Sequence, residues 1–150
     1  MAAYRSRNFS EAQRQFDGAS RSGDQNAALW AARAVKDGSG GCSAAIPRFD
    51  AVAQKAAGSF NGNQAQLESA QCQIATGQLD AARDKLTKLT SVPSHAQQAQ
   101  QALNELNQVA SKREADRSKA DRAAGGGRPA AGAPARPAAK PAPASTASGF

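Results

Sequence analysis

The stretch Leu79-Asp80-Ala81-Ala82-Arg83-Asp84-Lys85-Leu86-Thr87-Lys88-Leu89 decides the reading of this chain. Leu79, Ala82, Leu86 and Leu89 follow one another at spacings of three and four, which sets them on one face of a helix. Asp80 and Asp84 share another face, but Arg83, Lys85 and Lys88 surround them, as on an ordinary solvated surface. The same order of a bulky or apolar residue, Ala, a bulky residue and a small or apolar residue occurs twice upstream. Its copies are Phe9, Ala12, Phe16, Ala19 and Cys42, Ala45, Phe49, Val52. The central alanines are 33 and then 37 residues apart, the period of stacked supersecondary units. Alanine in the second place has a physical role, because a crossing helix comes close only over a small side chain.

A second helical stretch precedes two of these copies. Residues 27–36 carry Ala28, Leu29, Ala32 and Val35, and residues 65–76 carry Leu67, Ala70, Cys72 and Ile74. The breaks fall where hairpins must turn: residues 37–41 and Thr76-Gly77 within units, and residues 20–23, 58–62 and 91–94 between them. Ser10 with Gln13 and Ser94 with Gln97 fit the capping box, and Pro93 stops one helix before the next. A last helix over 94–110 has Ala99, Leu103, Leu106 and Ala110 on one stripe. Pro47 is expected about one turn inside its helix, where N–H groups lack partners anyway.

Composition narrows the class. The length of 150 residues suits one domain, and the apolar content of 40% is mostly alanine, with 5% aromatics. No apolar run approaches a membrane span, and residues 1–9 hold no segment of signal-peptide length. One His and two Cys exclude a zinc finger and a disulfide-dense scaffold. The formal charge of +7 is uneven: residues 1–111 hold 11 Lys/Arg against 9 Asp/Glu, and residues 112–150 hold 8 against 3. Residues 111–122 read as a charged helical extension, pairing Glu114 with Arg117 and Asp116 with Lys119. Residues 123–150 are nearly all Ala, Pro, Gly and Ser and read as a disordered tail with polyproline-II character. Three cations in that tail, Arg128, Arg136 and Lys140, without interleaved aromatics, argue against specific nucleic-acid binding.

Ala70, Gly77, Leu79, Ala82, Leu86, Leu89 and Pro93 match the small–Gly–bulky–Ala–bulky–Leu–Pro order of the tetratricopeptide repeat family, which the chain resembles over roughly residues 2–110. Tyr4, Phe9, Ala12, Phe16 and Ala19 match the second half of another unit. The middle unit departs by its glycine-rich turn and by Cys42. The resemblance implies an all-α fold, with antiparallel helix hairpins stacked as a short right-handed superhelix. Its units cover about 1–21, 22–58 and 63–93, with the final helix at 94–110, and the first helix of each pair lines a concave peptide-binding face. A three- or four-helix bundle is the alternative arrangement. The first unit lacks its leading helix, so the chain is expected to be the C-terminal piece of a longer protein, or to pair with a second copy through that incomplete repeat.

Aligning Leu29-Trp30-Ala31-Ala32 with Leu67-Glu68-Ser69-Ala70 puts Trp30, Arg33 and Lys36 on the same face as Glu68, Gln71 and Ile74. By resemblance that face, with Gln64, lines the groove and takes a protein or peptide partner; a Trp wedged between helices is the structural alternative. His95 reads as an exposed first-turn residue. Residues 38–41 lack the Lys-Ser/Thr of a phosphate loop. No catalytic residue, metal site or cofactor is expected. Cys42 lies 18 residues before, and Cys72 12 residues after, a connection centred near residue 60. Two readings stand side by side, a disulfide or two buried thiols. A disulfide goes with a periplasmic or envelope setting, towards which the reading leans, and free thiols with the cytoplasm. The leading function is an interaction or scaffold module. The alternative is a structural or regulatory fragment of an envelope-associated protein.

Overall fold

The computed structural model describes residues 1–125, which form seven helices and no strand. They are α1 (Ala2–Arg5), α2 (Phe9–Ser20), α3 (Gln25–Asp37), α4 (Gly41–Lys55), α5 (Phe60–Thr76), α6 (Leu79–Leu89) and α7 (Ala96–Gly125). The expected final helix and charged extension are therefore one continuous helix, which also takes in residues 123–125. The rest of the expected tail lies outside the described residues. No described helix is long and apolar enough to cross a membrane.

Local chemistry starts and stops these helices. The Asp24 carboxylate accepts the N–H groups of Asn26 and Ala27, and the Ser59 hydroxyl accepts that of Gly62. Gly77 ends α5 in the left-handed conformation, at φ 85°, where a side chain would be strained. Two expected capping boxes do not form. Asn8 rather than Ser10 caps α2, by accepting the Glu11 N–H, so Ser10 already lies in the first turn. The Ser94 hydroxyl is bonded to His95 Nδ1 at 2.8 Å, and α7 starts at Ala96. Residues 58–62, read as a break, are partly helix. Gly62 makes this turn fit, since a Cβ there would lie 2.1 Å from the Ala56 carbonyl oxygen. Pro47 falls in the second turn of α4, past the orphan donors expected to excuse it, and it leaves the Ser43 carbonyl without its helical N–H.

Each helix packs on the next in the chain, and α3, α5 and α7 also touch one another in order. Two apolar clusters result. Leu29, Ala32, Val35, Phe49, Val52 and Cys72 belong to the first, which joins α3, α4 and α5. Leu67, Ile74, Leu86, Leu89, Ala102 and Leu106 belong to the second, which joins α5, α6 and α7. Helix α5 feeds both, and nine of its residues are buried. That explains why its sequence is apolar on more than one side. Ala12, Ala45 and Ala82, the second-place alanines, are each 0% exposed, as close helix approach requires.

A second repeat lies on the surface. Arg48 of α4 reaches back to Asp17 of α2 at 2.9 Å, and Lys85 of α6 reaches back to Asp50 of α4 at 2.6 Å. Arg48 and Lys85 each stand three residues after the buried Ala of their helix. Asp17 and Asp50 each stand five after theirs. The same ion pair thus recurs from one hairpin to the next. Lys85, read from sequence as solvated, also donates to Ser69 Oγ at 2.7 Å, and Ser69 donates to Asp50 at 2.6 Å. Ser69 is fully buried, so this Ser–Lys–Asp cluster fastens α4, α5 and α6 and presents no hydroxyl to a substrate.

Candidate functional site

Side chains of α3, α5 and α7 line an open groove of about 610 Å³. Helix α3 contributes Trp30, Arg33 and Lys36, and α5 contributes Gln64, Leu67, Glu68 and Gln71. Helix α7 contributes Gln98, Gln101, Ala102 and Glu105, and Tyr4 closes one end. All six residues assigned to the groove from sequence stand here. Ile74, aligned with Lys36, instead sits in the second apolar cluster.

The centre of the groove is a closed polar network. Arg33 Nε donates to both oxygens of Glu68, at 2.9 and 3.0 Å, and a second guanidinium nitrogen pairs with Oε1. Gln64 Nε2 donates to the same carboxylate at 2.9 Å, and Lys36 Nζ lies 3.9 Å away. Glu68 is only 6% exposed, and a buried carboxylate needs this many donors. Arg33 also lies over the Trp30 ring, 4.5 Å from its centroid, while Phe16 stacks on Trp30 and Tyr4 meets it edge-on. Of the two readings of Trp30, a partner anchor or a Trp wedged between helices, these contacts fit the second. Trp30 and Arg33 are bound up with one another and join α2, α3 and α5.

Tyr4 ties the short α1 to α2 and α3: its ring packs on Phe9 and Trp30, and its hydroxyl donates to Asp37. Burial, together with the Asp37 carboxylate, pushes the Tyr4 phenol up to about 12.

The uncommitted polar groups lie on the groove's other side. Gln71, Gln98, Gln101 and Glu105 are exposed and make no side-chain hydrogen bond or ion pair among the described residues. Sequence reasoning found only Gln71 of these. A weak signal was present: Gln64 recurs 34 residues later as Gln98, and the positions of Leu67 and Gln71 fall on Gln101 and Glu105.

His95 is a correction. It was expected to be exposed and is only 1% so, because the turn after α6 folds it under the Phe60 ring, 4.9 Å away. Phe60 is itself 63% exposed and shields the imidazole as a lid would. His95 Nε2 is buried with no partner, and desolvation lowers the imidazole's pKa. With the folded pKa depressed, the unfolded chain takes up the proton first. Stability should therefore fall as pH drops below about 6.5, the free imidazole value, towards the lower folded value. Denaturant melts between pH 7 and 5 should show this decline, and His95→Leu should flatten it; parallel curves for both proteins would refute the assignment.

Cys42 in the first turn of α4 and Cys72 near the end of α5 are joined as a disulfide, with 4.9 Å between their Cα atoms. No family model matches the chain, and neither a curated protein nor a solved structure matches it.

Proposed function

We infer that the chain is a non-enzymatic interaction module of tetratricopeptide-like design, holding an extended peptide or a partner's segment in the groove across α3, α5 and α7. The observation that carries this is the set of unengaged amides. Gln71, Gln98 and Gln101 each offer a donor and an acceptor, which is what a peptide unit needs, over the apolar Leu67 and Ala102. Two features support the repeat architecture behind it: the recurrence of one ion pair between successive hairpins, and the sharing of α5 by two consecutive cores. The Arg33–Glu68–Gln64 network then acts as a rigid floor rather than as the recognising surface, and preorganisation of that kind lowers the entropy lost on binding.

The test is a peptide-array screen with the intact protein, followed by titration of the best binders using Trp30 fluorescence, since Trp30 is the sole Trp. Gln98→Glu/Gln101→Glu should weaken those binders by at least about tenfold, the loss expected from one or two hydrogen bonds at a desolvated site. Undiminished affinity would remove the groove from consideration.

The Cys42–Cys72 bond favours a second reading, that of a brace in an envelope assembly, because disulfides persist in oxidising compartments. The two readings are compatible if the groove's partner is itself a component of that assembly.

A further inference from the structure

We propose that the groove's resident occupant is the chain's own C-terminal segment, residues 126–150, folding back in cis. This rests on the groove reading above and adds to it the identity of the ligand.

Three observations converge on that segment. The first is hydrogen-bond polarity. Pro129, Pro134, Pro137, Pro141 and Pro143 contribute five peptide units without an N–H, and most of the other side chains are methyl or hydrogen. Such a segment has fewer backbone donors than acceptors, 20 N–H groups against 25 carbonyls. The amides of Gln71, Gln98 and Gln101 bring the complementary donors, with no partner among the described residues. The second is charge. Arg128, Arg136 and Lys140 are the only charged side chains in residues 126–150. Among the described residues Glu105 is the groove carboxylate without a cation, since Glu68 is already held by Arg33 and Lys36.

The third is reach. Helix α7 ends at Gly125, and its rise of about 1.5 Å per residue puts that end about 30 Å beyond Glu105. A proline-rich segment extends about 3.1 Å per residue, so roughly ten residues are enough for the return. The remaining residues then cross the groove, which brings Arg136 and Lys140 to Glu105 and the last three prolines to the glutamines. Shorter tails would fall short, and a proline-rich one loses little conformational entropy on docking.

The experiment measures entry of a competitor. A dye-labelled peptide of residues 126–150 is titrated, by anisotropy, into the intact protein and into Arg136→Glu/Lys140→Glu, whose circular dichroism is checked first. A tethered ligand has an effective concentration of order millimolar, so a docked tail should make the intact protein bind the peptide about tenfold more weakly than the variant. Adding Glu105→Lys to the variant re-pairs the reversed tail with the reversed groove charge in cis, so the peptide should again be excluded, as it is from the intact protein. Equal affinity for the two proteins would overturn the proposal, as would no binding to either. Blockage that appears only as protein concentration rises would overturn it too, by assigning the tail to a neighbouring copy. Should the tail fail these tests while Gln98→Glu/Gln101→Glu still weakens binding of array peptides, only the identity of the occupant falls.

Discussion

Reducing the Cys42–Cys72 bond should lower the free energy of unfolding by about 3–4 kcal/mol, the chain-entropy value for a loop of this length. The sequence separation is 30 residues, and the bond closes the open end of the α4–α5 hairpin, opposite the turn at Gly58 and Ser59. Cys72 is 1% exposed, so reduction also leaves two thiols that must be reburied against the first core. The melting midpoint followed by circular dichroism should fall by on the order of 10 °C in a phosphine reductant. Cys42→Ser/Cys72→Ala should fall similarly and be insensitive to reductant. A midpoint unmoved by reduction, with free thiols verified by alkylation and mass, would show that packing alone holds the hairpin.

Phe49→Ala should be the most damaging single change, costing about 3–5 kcal/mol. Phe49 is 0% exposed and stands where α3, α4 and α5 meet, beside Ala32, Ala45 and Ala65. Those neighbours are small and have little side chain with which to fill the space, so most of the cavity should persist. The loss should also spread. Helix α5 supplies Cys72 to the first core and Leu67, Ala70 and Ile74 to the second, so loosening α5 removes support from α6 and α7. Native-state hydrogen exchange should show amides of α6 losing protection along with those of α3 and α4. Loss restricted to α2–α4, with α6 unchanged, would mean that the two cores are independent units.

Much of this architecture is visible in particular residues. Ala12, Ala45 and Ala82 were placed at close crossings on periodicity alone, and all three are fully buried. The Asp17–Arg48 and Asp50–Lys85 pairs occupy matching places in the repeat frame, and with the frame in hand they could have been anticipated. Gln98, Gln101 and Glu105 do not stand out in the sequence, because Gln97, Gln100, Asn104 and Gln108 give the same helix polar residues on its other sides. His95 was misjudged because a first-turn histidine is usually solvated, and nothing near it in sequence announces the Phe60 ring that covers it.

The physics divides along the range of the interaction. Helical faces, caps and turns depend on residues three or four apart, so spacing alone indicates α2 to α7 close to where they are observed and the sides on which they are apolar, but not the one-turn α1. Contacts between side chains more than 30 residues apart depend on how far each helix slides and rotates against the next. That is settled by alanine-to-alanine approach and by the disulfide. Hence the six groove residues were recognisable one by one as belonging to a common face. That Arg33 and Gln64 converge on Glu68, while Gln71, Gln98 and Gln101 make no side-chain hydrogen bond among the described residues, emerges only once the three helices lie side by side.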